Sequence, residues 1–133
     1  MPCNIVTRNV SVSYSAPDGT ELPALGPVTL SVSAGSFMCL VGPSGCGKST
    51  LLRVVAGLQS PTRGSVLLDG HLVKKPSRRA GVMFQEANLM PWRTVRDNIA
   101  LPLELAGQPK PTRYAAVSNL LPMLGLQDFP LAY

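Results

Sequence analysis

An α/β fold is predicted by three features of this 133-residue chain. Two segments near the N-terminus alternate apolar and polar residues, the pattern of antiparallel strands with one buried face. A continuous apolar run over residues 36–42, SFMCLVG, reads as a strand covered on both faces. The Gly-rich stretch that follows it leads directly into a segment with helical apolar spacing.

The elements follow in chain order. Val6, Val10, Val12 and Tyr14 share one parity of the first strand, with Arg8 the polar exception. Residues 16–27, APDGTELPALGP, are dense in turn formers and read as a connection. Residues 28–33 alternate again and should pair antiparallel with the first strand. In 49–58, Leu51, Leu52, Val55 and Leu58 fall at helical spacing, and Gly57 and Pro61 end the helix. Residues 64–70 and 80–85 are two further strand candidates. Thr94 and Asp97 form a capping box with Asp in place of Glu, opening a helix toward about Ala106 that Pro102 is expected to kink or end early. A last helix, from about Thr112 to Leu124, gathers Val117, Leu120, Leu121 and Leu124, with Pro122 breaking the pattern. There is no internal repeat. Residues 124–133 carry neither a helix stop nor a polar tail, so the sequence is expected to stop partway through a domain.

Composition excludes several classes. Apolar residues make up 45% and charged residues 14%, which rules out a disordered tail. Residues 22–47 carry no charge, but prolines and glycines interrupt them well short of the ~20 apolar residues a membrane helix needs. No basic region precedes an apolar core at the N-terminus, so no signal peptide is read. Cys3, Cys39 and Cys46 are odd in number and lack metal-ligand spacing, which suits a reduced, cytoplasmic protein. The net charge of +5 permits an anionic partner without identifying one.

Chemistry enters at residues 42–50. Gly42-Pro43-Ser44-Gly45-Cys46-Gly47-Lys48-Ser49, followed by Thr50, fits GxxxxGK[ST]. Glycines let the backbone wrap closely and turn successive N–H groups toward anionic oxygens. The helix that begins there adds its dipole and its free first-turn amides. Lys48 would reach the β- and γ-phosphates, and the Ser49 hydroxyl would ligate Mg²⁺. The motif with its strand-then-helix context predicts a nucleoside triphosphate site on a P-loop NTPase core, with an antiparallel β subdomain beside it.

From here the chain resembles the nucleotide-binding subunits of ABC transporters. The resemblance is carried by Tyr14, by LVGPSGCGKSTLL (40–52), AGLQSPTRGSVLLDG (56–70) and GVMFQEANLMPWRTVRDNI (81–99), and by LGL near the end. Within the family, QEANLMPWRTVRDN is most similar to importers of nitrate, sulfonates and taurine. The resemblance spans the whole chain, 1–133, as the N-terminal part of one nucleotide-binding domain. It implies ATP and Mg²⁺ as ligands, with Tyr14 stacking on adenine. Read from residues alone, Tyr14 is equally a strand tyrosine packed on the core. The resemblance further implies that Gln85 is a switch-loop glutamine (loop about 85–92) acting on Mg²⁺ and the attacking water. By the same resemblance, Leu89, Met90, Pro91 and Trp92 would dock on a transmembrane permease subunit. A loop tucked into a helical subdomain is the plainer reading of those four. A homodimer of the full-length subunit, peripheral on the inner face of the plasma membrane, is also implied.

Several features read as decoys. Val66-Leu67-Leu68-Asp69 imitates an apolar strand ending in a metal-binding Asp, but Gly70 stands where a catalytic Glu would be, so Asp69 reads as a hairpin residue. His71 is the single histidine and lies beside that turn. Lys74, Lys75, Arg78 and Arg79 lack interleaved aromatics and read as a solvated loop, not a nucleic-acid patch. None of the seven acidic residues forms an apolar-strand Asp-Glu pair, and no LSGGQ-like run occurs. The chain is therefore expected to hold an ABC-type ATPase's nucleotide half-site without its hydrolytic half, and to be inactive alone. The rivals are a small P-loop kinase and a binding-only module.

Overall fold

The computed structural model describes residues 3–77, 79–86 and 88–133, so Arg78 of the basic cluster lies outside the described residues. The chain divides into two units, residues 1–83 and 84–133.

The first unit is built on a four-stranded antiparallel sheet. Its strands are β1 (Ile5–Ser15), β2 (Glu21–Val32), β3 (Arg63–Leu68) and β4 (His71–Leu72), in the order β2-β1-β3-β4. Helix α1 (Lys48–Val55) supplies Leu51 and Val54 to a core with Val10, Val12, Leu25 and Val66. The helix thus buries Leu51 and Val54, while Leu52 and Leu58 of the predicted face stand half-exposed. Val54 displaces them because the helix presents only the stripe that meets the sheet.

β2 corrects the reading of 16–27 as a connection, since the strand begins at Glu21 and Glu21, Leu22, Pro23 and Leu25 already pair with β1. An edge strand explains this. Pro23 and Pro27 cannot donate to a ladder, but an edge position leaves one side of each residue without a partner to serve. The register shifts between Val10 and Val12 and between Val12 and Ser13 absorb the irregularity. A further bulge falls on β1 itself, between Thr7 and Val10 against β2 and between Arg8 and Ser11 against β3. Thr7, fully buried, repairs the ladder there: its hydroxyl donates to the Val28 carbonyl (3.1 Å) and accepts from the Leu30 amide (3.0 Å).

Asp69-Gly70 is the predicted hairpin turn, joining β3 to β4. Asp69 Oδ1 and the Asp69 amide bond the Asn4 amide and carbonyl, at 2.8 and 2.9 Å, which ties the turn to the start of β1. Its carboxylate is thereby spent on structure. His71 is exposed, its Nδ1 2.9 Å from the Asp69 carbonyl.

Residues 36–42 and 80–85 are not strands. A run that is apolar on both faces needs ladder partners on both sides, and none pairs with either segment among the described residues. Phe37 is 94% and Val41 90% exposed. Residues 37–40 and α1 line an open apolar groove of about 600 Å³.

In the second unit, α2 (Val95–Leu105) packs on α3 (Lys110–Leu120), which continues into a 3₁₀ turn (Pro122–Leu124). Ala100, Val117 and Leu121 form the core, flanked by Val95, Ile99, Tyr114 and Leu126. Leu120 and Leu124, predicted on the same face, are half-exposed because Pro122 tightens the last turn and rotates the face away. α2 runs through Pro102 to Leu105 instead of ending early, because its packing outweighs one missing amide bond. The amides of Val95, Arg96 and Asp97, which precede the helical ladder, each have an acceptor. Val95 and Arg96 donate to the Ala132 and Pro130 carbonyls, at 2.8 and 3.0 Å. Asp97 donates to Thr94 Oγ1 (3.2 Å), as the capping box predicts, and Asn98 to the Thr94 carbonyl (2.9 Å).

The Tyr114 hydroxyl donates to Asp97 Oδ1 at 2.6 Å, with the Arg96 guanidinium 4.2 Å from the ring centre. That hydroxyl first, and the Thr94 hydroxyl second, hold the Asp97 carboxyl below its ordinary value. A carboxyl with a lowered folded pKa stabilises the fold above its unfolded value of about 4 and loses that contribution as pH falls through the folded value. Thermal melts between pH 7 and pH 3 should therefore show a shallower acid loss in Asp97→Asn than in the parent chain. Parallel profiles would contradict this role. Among the described residues, no helix is long and apolar enough to cross a membrane.

Candidate functional site

The site begins where the chain enters α1. Gly47 is buried, with φ +97°, and caps a helix that has no side-chain cap and no acidic residue in its first turn. A Cβ there would meet the Ala24 carbonyl oxygen and Leu25 Cδ1, each at 2.8 Å. Two independent reasons thus require glycine: the left-handed backbone and the close approach of β2. The first intrahelical bond runs from the Leu51 amide to the Gly47 carbonyl at 2.9 Å, so the amides of Lys48, Ser49 and Thr50 precede the ladder. A short helix start with forward-pointing amides, no capping carboxylate and a lysine in its first position favours an anion.

Lys48 folds back over its own loop. Its ammonium donates to the Gly42 carbonyl (2.8 Å) and the Pro43 carbonyl (2.7 Å) and lies 3.6 Å from Cys46 Sγ. The structure therefore gathers Gly42, Pro43, Cys46, Gly47 and Lys48 into one loop, closed by the Cys46 amide on the Pro43 carbonyl at 3.4 Å. Ser44 and Gly45 form the exposed crest between them, and Ser49 and Thr50 open the helix. The donor set suits Mg²⁺ held mainly by phosphate oxygens and water. Ser49 contributes a hard oxygen, and no group of three or more His, Cys, Asp or Glu among the described residues could hold a metal by itself.

Tyr14 lies at the end of β1, opposite Leu22 and 48% exposed, so it is not the core tyrosine of the plainer reading. Its hydroxyl meets the Gln59 side chain, Nε2 donating at 3.0 Å. Gln59 is a positioning partner that no sequence pattern announced. Gln85 is exposed at a bend in the second unit. In the same unit Leu89 and Trp92 are exposed, at 67% and 71%, while Met90 is half-buried. Pro91 and Trp92 form a turn closed by the Arg93 amide on the Met90 carbonyl at 3.0 Å. Lys74, Lys75 and Arg79 are exposed, Arg79 lying 3.8 Å from Asp69.

The comparisons agree with one another. The profile of the family described as ABC transporter matches residues 25–132. An ABC transporter ATP-binding protein of Methanocaldococcus jannaschii is 48% identical over 116 residues, covering 87% of this chain and 43% of that protein. The taurine import ATP-binding protein of Roseobacter denitrificans is 41% identical over 122 residues, covering 92% and 46%. The aliphatic sulfonates import ATP-binding protein of Burkholderia lata is 50% identical over 102 residues, covering 77% and 36%. A dimeric ATP-binding cassette solved in a post-hydrolysis state with ADP and Pi superposes with a TM-score of 0.81 at 28% identity, covering 96% of this chain and 60% of that one. The chain thus spans about half the length, or less, of these curated relatives.

Proposed function

This chain belongs to the ABC transporter family, and from that premise we propose that it is the ATP-holding portion of an importer ATPase driving uptake of a small anion such as nitrate, a sulfonate or taurine. The observation that carries the reading is the Lys48 ammonium, held over the loop carbonyls at the uncapped start of α1. Relatives named for the import of taurine, aliphatic sulfonates and nitrate support the anion class.

In this reading residues 1–133 are the N-terminal part of one nucleotide-binding domain. The amides of 44–50 face the phosphates. Lys48 exchanges its carbonyl contacts for β- and γ-phosphate oxygens and offsets charge as the bond to the leaving ADP oxygen breaks. Ser49 would offer Mg²⁺ a hydroxyl oxygen, and the ion neutralises phosphate charge when bound. No acidic residue of the chain is assigned as the base that takes the water's proton. Tyr14 lays its ring on adenine, with Gln59 fixing the ring's edge. Leu89, Met90, Pro91 and Trp92 contact a permease subunit at the inner face of the plasma membrane, and the whole subunit works as a homodimer.

Titration calorimetry of the chain with ATP and magnesium tests the binding half. Saturable binding is expected, and its absence would remove the proposal. Tyr14→Phe, which keeps the ring, should bind within about twofold of the parent. Tyr14→Ala should weaken binding at least several-fold, since loss of an aromatic–base stack costs about 1–3 kcal/mol. Equal affinities for the two variants would return Tyr14 to a structural role.

A further inference from the structure

Asn98 stands in the first turn of α2, and its side chain does something unusual there. Oδ1 accepts from the Met90 amide at 2.8 Å, while Nδ2 donates to the Met90, Arg93 and Thr94 carbonyls at 3.1, 3.0 and 3.2 Å. Met90 is thus gripped at both its amide and its carbonyl, as a neighbouring strand would grip it. The far end of the same turn is held twice. The Arg93 carbonyl sits on Asn98, and the Arg93 guanidinium reaches Glu104 at 3.0 Å. Between these anchors Pro91 occupies the second position of a β-turn, where its fixed φ suits the geometry. All the polar ties lie beneath the turn, while Trp92 and Leu89 stay in solvent.

An ordered loop that spends its polar groups inward and its largest apolar groups outward is preorganised for contact. We propose that Asn98 is a positioning residue that pre-forms the Met90–Arg93 turn, so that Trp92 is presented as a fixed apolar knob to the permease subunit. This rests on the reading of 89–92 as a docking loop. Neither close relative of asparagine can do the same job. Aspartate loses both donors and sets a negative charge against three carbonyls, and glutamine carries the amide one methylene too far.

Trp92 is the chain's single tryptophan, so its fluorescence reports on this turn alone. In the 133-residue chain, the anisotropy of Trp92 should decay with overall tumbling. Asn98→Ala and Asn98→Asp should each add a fast local component and raise acrylamide quenching about twofold or more, with far-UV helicity unchanged. An unaltered decay in both variants would overturn the clamp, whatever the loop contacts. In the longer subunit, tagged and purified with its membrane partner, Trp92→Ala and Asn98→Ala should each cut recovery of that partner about tenfold while ATP binding is retained. Full recovery with Trp92→Ala would remove the docking reading. Loss with Trp92→Ala but full recovery with Asn98→Ala would remove the positioning role alone.

Discussion

Lys48→Ala should lower the affinity of this chain for ATP about 100-fold, a loss of roughly 2.7 kcal/mol, while moving its melting temperature little. The two halves of that expectation have separate origins. A charge-assisted hydrogen bond contributes about 1.5–3 kcal/mol, and an ammonium placed among phosphates makes more than one such contact. The lysine's present partners are the Gly42 and Pro43 carbonyls, and both residues are exposed. Water can serve those carbonyls when the ammonium is gone, so the fold loses little. Calorimetric titration beside a thermal melt separates the effects. Unchanged ATP affinity would remove the phosphate-site assignment. Equal losses of affinity and stability would make Lys48 a structural residue instead.

What could be read from the sequence divides by the range of the forces involved. The loop at 42–50, the Asp69-Gly70 hairpin and the Thr94–Asp97 capping box were all legible, because each is decided within a few residues of itself. Periodicity misled at 36–42 and 80–85. Both runs have the composition of buried strands, but a strand exists only where other backbones pair with it, and composition says nothing about that. The opposite error occurred at 21–27, where prolines that would break a central strand are tolerated along an edge. Partners distant in sequence stayed invisible for a related reason. Gln59 meets Tyr14 across 45 residues, and the Pro130 and Ala132 carbonyls cap α2 through backbone that any residue would offer. The Asn98 contacts were equally illegible, because nothing local decides which carbonyls an asparagine side chain will reach.

The largest loss of stability is expected from Gly64→Ala, at the start of β3. Gly64 adopts φ +83°, a region where any Cβ is strained. The position is also closed sterically. A Cβ would lie 2.3 Å from both the Arg8 and the Asn9 carbonyl oxygens and 2.5 Å from Asn9 C. These are backbone atoms of the β1 bulge, with Asn9 itself at φ 49°. The bulge has little room to yield. The Asn9 amide donates to Thr29 Oγ1 at 2.9 Å, and that hydroxyl donates back to Asn9 Oδ1 at 3.0 Å. Retreat of Arg8 and Asn9 would therefore break their ties to β2, and retreat of β3 would uncover Val66. Overpacking typically costs about 1–3 kcal/mol and a forced left-handed residue about 1–3 more. Together they should destabilise the first unit by about 3 kcal/mol or more, which at about 4–8 °C per kcal/mol lowers its melting temperature by at least 10 °C. Gly70→Ala is the matched control. Its φ of +76° imposes the same backbone strain, but a Cβ there meets nothing within 4 Å, so only the smaller strain cost remains. Thermal melts of the two variants side by side isolate the steric part. Equal shifts would mean that β1 gives way to the added methyl, and that the sheet is softer at its bulge than its hydrogen bonds imply.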